Sequence, residues 1–408
     1  MKNNPFLSDT FNSVWSEHFN RKRSPIKFKS FSDVRFVKSK FPYLYYNIGK
    51  NITNGMSYHI NTEGKDHNGK VFLIYDVPTY FEIMSHDIPS LKLIKVPQYK
   101  GFLSDLRQHS SYDDFVKDQF KSNSRYKFRR NQERLETCFN IDYSIYHGHI
   151  EKSIYDTVMI GFKALLSKRF DALRKENYIL MKWDYYYDLI YEMLLEKSAV
   201  LIVISNNNEP IGVSLSFLSD RIMFYAITSF DTDFYRFNLG HTTIIKLLNW
   251  CYDNGYEIYD FSKGEYEYKN RWMNTQYTYE NHILYDSKSL IATLIAKLVS
   301  LKYRLKQSLR DHNFNEKYVK LKFFLRGNKE ISKIDYRVET ADMPEPSNNM
   351  QEIDLDSKDY SFLKSVIYDR LYKNPISVDE LKVYFILIEG KATYFVSGTK
   401  QDYKIIVN

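Results

Sequence analysis

AVLIVISNNNEPIGVSLSFLSDRIMFYAIT (199–228), then LGHTTIIKLLNWCYDNG (239–255) and DFSKGEYEYKNRW (260–272), is the stretch whose reading decides the fold. Three apolar runs, 199–205, 211–218 and 222–228, are separated by Asn206-Asn207-Asn208-Glu209-Pro210 and by Ser219-Asp220. Apolar runs of this length between turn residues read as antiparallel strands. From Thr242 to Tyr252, Ile244, Ile245, Leu247, Leu248 and Cys251 recur at spacings of three and four, which predicts a helix with one face on the sheet. Asn254-Gly255 stops that helix, and a further short strand enters Asp260-Phe261. Gly240 precedes the helix, where unpaired N–H groups and the helix dipole favour an anion. A loop glycine required only for its backbone angles fits the same position.

The rest of the chain narrows the class. The 408 residues suggest two or three domains, and the formal charge of +8 suits anionic partners without choosing among them. Cys138 and Cys251 permit one bridge at most; Cys251 lies on an apolar helix face, so a reduced, cytoplasmic chain is the simpler account. No Cys-x-x-Cys or His-x-x-x-His pair appears, so no metal is expected. Neither a signal peptide nor an apolar run of about 18 residues is visible. Tyrosine (36) and phenylalanine (28) are abundant but evenly spread, and no nucleic-acid-binding motif accompanies them.

Residues 1–110 read as mixed α/β, with a helix over 8–19 and the loop 64–69 joining two strands as a hairpin. A basic helical stretch over 112–137 carries Arg125, Arg129 and Arg130; it is either a solvated face or a wall for phosphate or uronate groups. Lys168 and Arg169 stand near the end of a later helix. Over 287–326, Leu290, Leu294, Leu298, Leu301, Leu305 and Leu309 form a stripe among ten Lys/Arg and two acidic residues. The stripe reads first as packing against its own domain, and second as a peripheral contact with an anionic membrane. An acidic, Pro-containing stretch over 340–356 reads as a linker to a small helix-and-strand appendage.

With these residues in place, the chain resembles the CelD-type branch of the GNAT acyltransferase superfamily, associated with cellulose and exopolysaccharide loci and related to the FemAB transferases. The resemblance rests on the turn Asn208-Glu209-Pro210-Ile211-Gly212, on Asn238-Leu239-Gly240 before the helix, and on D-F-x-x-G-x-x-x-Y-K-x-x-W, met by Asp260, Phe261, Gly264, Tyr268, Lys269 and Trp272. Asn4-Pro5-Phe6, Trp15 and the basic helix from Arg125 to Leu135 add weaker support. Two features depart from the pattern: Leu239 stands where the family often has proline, and Phe237 and Thr242 break the superfamily's pyrophosphate loop.

The resemblance implies an α/β fold of tandem GNAT-like (FemAB-like) mixed, mostly antiparallel sheets flanked by helices, plus a small C-terminal α+β appendage. It implies a degenerate N-terminal domain over 1–148 and an acyltransferase domain over 149–286, followed by a basic helical segment (287–339), the linker (340–356) and the appendage (357–408). Acetyl-CoA or another acyl-CoA would be the donor, held at Asn238, Leu239, Gly240, His241 and Thr242. An amino or hydroxyl group of a sugar-type, nucleotide- or lipid-linked polysaccharide precursor would be the acceptor, contacted by Arg125, Arg129, Arg130, Lys168, Arg169 and Trp272. Asp260, Lys269, Tyr268 and Glu265 are the catalytic candidates, with His241 a further base candidate. Two alternatives stand beside this reading: a FemAB-like transferase using aminoacyl-tRNA, the one case in which nucleic acid is expected, and a non-catalytic scaffold of the same fold.

Overall fold

The structure, a computed structural model, describes residues 3–50, 52–83, 88–173, 176–312, 335–344, 349–398 and 401–407. Its first 286 residues contain strands β1 (Ile26–Lys27), β2 (Phe31–Ser32), β3 (Arg35–Lys38), β4 (Leu44–Asn47), β5 (His59–Ile60), β6 (Val71–Pro78), β7 (Leu91–Asp105), β8 (Ile141–Tyr146), β9 (Ala199–Asn206), β10 (Glu209–Ser219), β11 (Ile222–Phe230), β12 (Ile258–Lys263) and β13 (Thr275–Asp286). The helices are α1 (Asp9–Phe19), α2 (Tyr112–Gln119), α3 (Ser122–Cys138), α4 (Lys152–Leu173), α5 (Tyr178–Met181), α6 (Trp183–Leu195), α7 (Leu239–Asp253), α8 (Glu267–Trp272) and α9 (Leu290–Asp311).

Eleven of these strands form one mixed, mostly antiparallel sheet in the order β1-β3-β4-β6-β13-β7-β12-β11-β10-β9-β8. The same strand directions occur twice. In the first half an antiparallel run is followed by one parallel step, β4 to β6, and then by β13 from the second half. In the second half the antiparallel run β8-β9-β10-β11 is followed by the parallel step β11 to β12, and then by β7 from the first half. Each half therefore completes itself with a strand of the other, and β7 and β13 pair along their length at the centre.

The repeat extends to detail. The strand after each parallel step carries a register shift and one non-glycine residue at positive φ, Asp76 (62°) in β6 and Ser262 (62°) in β12. Left-handed backbone at such residues is uncommon and marks a bend that the surroundings enforce. The two bends meet: the Lys263 ammonium lies 2.5 Å from the Asp76 carboxylate, and Asn54 donates to the Ser262 hydroxyl at 2.9 Å.

The continuous apolar strand β9 is explained by cover on both faces. Leu201 and Val203 pack in the cluster that contains α4 and α6, while Val200 and Ile202 pack with α7. The start of the chain is pinned across both halves. Asn4 donates to the Gly55 carbonyl and the Ser57 hydroxyl, and the Phe6 ring packs on Phe217 and Phe224 of β10 and β11.

Several expectations change. The loop 64–69 does not close a hairpin, because β5 pairs with β2 whereas β6 pairs with β4 and β13. Asp66 instead accepts from the Lys29 and Ser30 N–H groups, folding the loop back on the earlier chain. The leucine stripe of α9 is not core: its leucines are exposed, and Ala292, Ala296, Ser300 and Tyr303 pack on the sheet instead. Small side chains let the helix approach closely, so the sheet takes the alanine face. The remainder of the basic segment, 313–334, lies outside the described residues.

The C-terminal unit is a five-stranded antiparallel sheet with the helix Lys364–Lys373, and within 340–356 the residues Gln351–Ile353 supply one of its edge strands. This unit docks on the approach to α7. Tyr368 and Tyr372 meet Phe139, Phe234 and Phe237, Arg236 pairs with Asp369, and Arg134 donates to the Tyr372 carbonyl.

Candidate functional site

The parallel strands β11 and β12 pair only from Ile222–Ile258 to Phe224–Asp260 and then part. A cleft of about 590 Å³ opens where they diverge. Tyr225, Thr228 and Phe230 of β11 form one wall, with Phe261, Ser262 and Lys263 of β12 and then Tyr266, Tyr268 and Lys269 opposite. Asn238, Gly240 and His241 close it at the start of α7, Arg169 of α4 covers it, and Asn54 enters from the first half. The charged side chains along the cleft are Arg169, Lys269 and Lys263, the last of them paired with Asp76, and no carboxylate lines the cleft among the described residues. A cationic lining in a partly dry cleft strengthens attraction for an anionic ligand.

Lys269 is placed by the short helix α8, and its side chain is only 3% exposed. Its ammonium donates to the Lys263 carbonyl at 2.6 Å and to the Ser262 carbonyl at 3.4 Å, so it holds the β12 bend as well as facing the cleft. Burial brings its pKa down to about 8, and the nearby Asp260 charge opposes that shift. Asp260 itself is fully buried behind the cleft surface. It accepts from Tyr277 and Tyr80 hydroxyls at 2.7 Å and from the Ser262 N–H at 2.7 Å. Burial raises its pKa to about 6, against the pull of these donors and of Lys269.

The hydroxyl chain continues from Tyr277 to Tyr279 (2.8 Å) and from Tyr279 to the Asn54 carbonyl. Four contacts, Tyr80–Asp260, Tyr277–Asp260, Tyr277–Tyr279 and Tyr279–Asn54, share the protons of three hydroxyls. With a pKa of about 6 Asp260 is mostly ionised at pH 7, and the Tyr277 hydroxyl shares its one proton between Asp260 and Tyr279. Enclosed in this way, Asp260 does not line the cleft; it holds the Ser262 N–H and its charge lies near Lys269.

His241 lines the cleft, but its Nδ1 accepts from the Trp272 indole N–H at 2.9 Å. That bond places the imidazole proton on Nε2 and uses the lone pair a base would need. Burial and the nearby Arg271 and Lys127 charges lower the His241 pKa to about 4, so the ring is neutral at pH 7 and can only donate. Trp272 is wholly buried and stacks on Phe128 of α3; it orients His241 and does not line the cleft.

The other candidates disperse. Tyr268 lines the cleft, and burial pushes its hydroxyl well above the usual tyrosine range. Glu265 is on the surface, 3.8 Å from Lys100. Arg125 and Arg129 belong to a separate groove of about 510 Å³ with Lys117 and Lys246, and Arg130 lies over the Tyr126 ring. Lys168 is paired with Asp231 and Asp233 at 2.5 and 2.6 Å, whereas Arg169 reaches the cleft. At the α7 start, Asn238 adopts a left-handed conformation (φ 55°), Leu239 is buried, and the N–H groups of His241 and Thr242 both donate to the Asn238 carbonyl. Of the expected pyrophosphate donors at 240–242, two are thus already engaged. Asn54, Thr228, Phe230, Lys263 and the Tyr80–Tyr277–Tyr279 set escaped sequence reasoning. The alternation of Tyr277 and Tyr279 in a strand was the one local signal; the rest are joined only by the sheet.

Among the described residues no group of three His, Cys, Asp or Glu side chains is close enough to hold a metal ion. Both cysteines are buried and free.

Similarity to known proteins bears on the same region. In solved structures the chain is similar to a conserved protein of unknown function from Bacteroides thetaiotaomicron (12% identity, TM-score 0.43, covering 70% of this chain and 93% of that one). It is also similar to FemX (13%, 0.41, 65% and 86%) and to L-PGS from Bacillus licheniformis (10%, 0.40, 67% and 88%). Overlays this loose carry no weight for activity or partner. No curated protein matches the chain in sequence. Residues 122–270 match the family model of the acetyltransferase (GNAT) domain, a span that begins at α3, takes in both walls of the cleft and ends one residue after Lys269. The segment 122–270 is a GNAT acetyltransferase domain, and the chain that carries it is an acyltransferase.

Proposed function

We propose that this chain moves an acetyl or other acyl group from acyl-CoA to an amino or hydroxyl group of an anionic, sugar-type acceptor, as a member of the CelD-type branch that its closing motif resembles. The carrying observation is the cleft between the parting strands β11 and β12, with Arg169, Lys263 and Lys269 along it and no carboxylate among its described lining. Where the two strands part, backbone groups are open to an extended ligand, and the two amides of a pantetheine arm suit such an edge. The donor's phosphates belong at the start of α7, where Gly240 permits close backbone approach. The acceptor nucleophile attacks the thioester carbonyl, a C–N or C–O bond forms, and the C–S bond breaks to release the CoA thiol. Lys269 offers positive charge on the acceptor side, His241 offers a neutral Nε2–H donor, and Tyr268 offers a hydroxyl that stays protonated. The division into a degenerate N-terminal copy and a C-terminal catalytic half belongs to this reading and is supported by the repeated strand order. So does the part given to the N-terminal half, which reaches the cleft through Asn54.

Native mass spectrometry of the purified chain tests the donor: a bound CoA species is expected. Salt-sensitive binding of charged tRNA with no affinity for acyl-CoA would replace this reading by aminoacyl transfer. A Cβ at Gly240 would come to 3.1 Å from the Phe230 ring, at the cleft wall. Gly240→Val is therefore expected to weaken acyl-CoA binding by at least about tenfold, measured by isothermal titration. Unchanged affinity would remove the start of α7 from the donor site.

A further inference from the structure

The outward face of α9 has no part in the cleft. Leu290, Leu294, Leu298, Leu301, Leu305 and Leu309 are between 44% and 88% exposed, and Ile291 beside them is 58% exposed. At about 100° per residue these seven side chains fall within an arc of about 100° along a helix about 33 Å long. The opposite side, Ala292, Ala296, Ser300 and Tyr303, is buried on β6, β7 and β13, so the helix is held flat with its leucines pointing away from the protein. An exposed apolar band of this length marks an interaction surface.

Charge identifies what covers it. Lys297 and Arg304 flank the band on one side and Lys302 and Lys306 on the other, all exposed, while Asp311 is the only acidic residue of the helix. Lys50 extends the second flank: the Lys302 and Lys306 charges help to lower its pKa, which places the three lysines within range of one another. An apolar stripe bordered on both sides by lysine and arginine matches the boundary of an anionic bilayer, with leucines among the acyl chains and cations at the headgroups. Among the described residues no helix is long and apolar enough to cross a membrane, so the contact is one of lying on the surface.

We infer that α9 docks this protein on anionic lipid bilayers, with its leucine face in the interface and its flanking lysines and arginines on the headgroups. The far end of α9 is linked to the cleft rim through the Tyr99 ring. The Arg310 guanidinium lies 4.0 Å from the centre of the Tyr99 ring, and Lys263, which lines the cleft, approaches the same ring at 6.0 Å. If the proposed function holds, docking brings the cleft rim to the surface that carries a lipid-linked acceptor; the docking itself does not depend on that reading.

Cosedimentation of the full chain with vesicles tests it without any measurement of transfer. With vesicles of 30% phosphatidylglycerol in phosphatidylcholine the chain should pellet, and with pure phosphatidylcholine binding should be at least tenfold weaker. Lys302→Gln with Lys306→Gln should weaken binding about 25-fold, at about fivefold per basic residue. Leu294→Gln with Leu298→Gln and Leu301→Gln should abolish it while Tm stays within a few degrees, because these side chains are more than half exposed among the described residues. A wild-type chain left in the supernatant with anionic vesicles overturns the proposal. If the leucine variant then also loses Tm, the chain covers its own stripe; if it instead turns a dimer into a monomer, a second copy does. Equal binding by the leucine variant and the wild type overturns it as well.

Discussion

Replacing Lys269 by methionine is expected to lower kcat/KM for acyl transfer by about 10²- to 10³-fold. Methionine keeps most of the volume and removes the charge. The Ser262 and Lys263 carbonyls lose their donor, at a cost of roughly 1–3 kcal/mol, and relief from burying an ammonium offsets part of it. The fold should persist, as circular dichroism will show. The pH profile gives a second readout. Burial sets the Lys269 pKa at about 8, and in the proposed function the side chain acts as the ammonium. Activity that depends on this charge is therefore full below about pH 8 and declines as pH rises through it. The declining limb should be missing in Lys269→Met. A variant with full activity, or one with the wild-type limb intact, removes Lys269 from the reaction.

Asp260→Asn is expected to reduce kcat/KM by about 10²-fold, through misplacement of the site and not through loss of a contact with substrate. Asp260 is a positioning residue: it holds the Ser262 N–H and the Tyr80 and Tyr277 hydroxyls, and its charge supports the Lys269 ammonium. With that charge removed, the Lys269 limb should move to lower pH, a shift that mere loosening of the fold would not produce. Stability carries an independent signature. The folded-state pKa of Asp260 is raised from 3.8 to about 6, so its contribution is fully present below about pH 4 and is lost as pH rises through 6. Chemical denaturation of the wild type across pH 4 to 6 should show that decline, and the asparagine variant should lack it. An unmoved limb in the variant would separate Asp260 from Lys269.

Much of the fold was legible because its signals are local. The three apolar runs, the turns at 206–210 and 219–220, and the helix stop at Asn254-Gly255 become β9, β10, β11 and α7 in the expected order. Periodicity reports which residues share a face, and that survives folding. It does not report what lies against the face. The leucines of α9 formed a stripe of six, yet the sheet took the alanine face, since small side chains at 292 and 296 allow the nearer approach. The hairpin expected over 64–69 failed for a similar reason: Asp66 found backbone donors more than thirty residues away.

For the site, the sequence placed Gly240 and His241 at the start of a helix and Tyr268 and Lys269 in a turn after the next strand; the short helix α8 that carries the latter two came only with the structure. Whether each faces the cleft was decided by tertiary structure. The lone pair of His241 is claimed by Trp272, Asp260 is sealed by Tyr277 of β13 and by Tyr80 in the turn after β6, and Lys168 is paired with Asp231 and Asp233 while its neighbour Arg169 has no such ion pair among the described residues. The cleft itself exists because β11 and β12 separate after three paired residues, and because the Ser262 bend is locked to the Asp76 bend of the other half. A bend held from across the sheet depends on partners about two hundred residues away. No window of the sequence contains both.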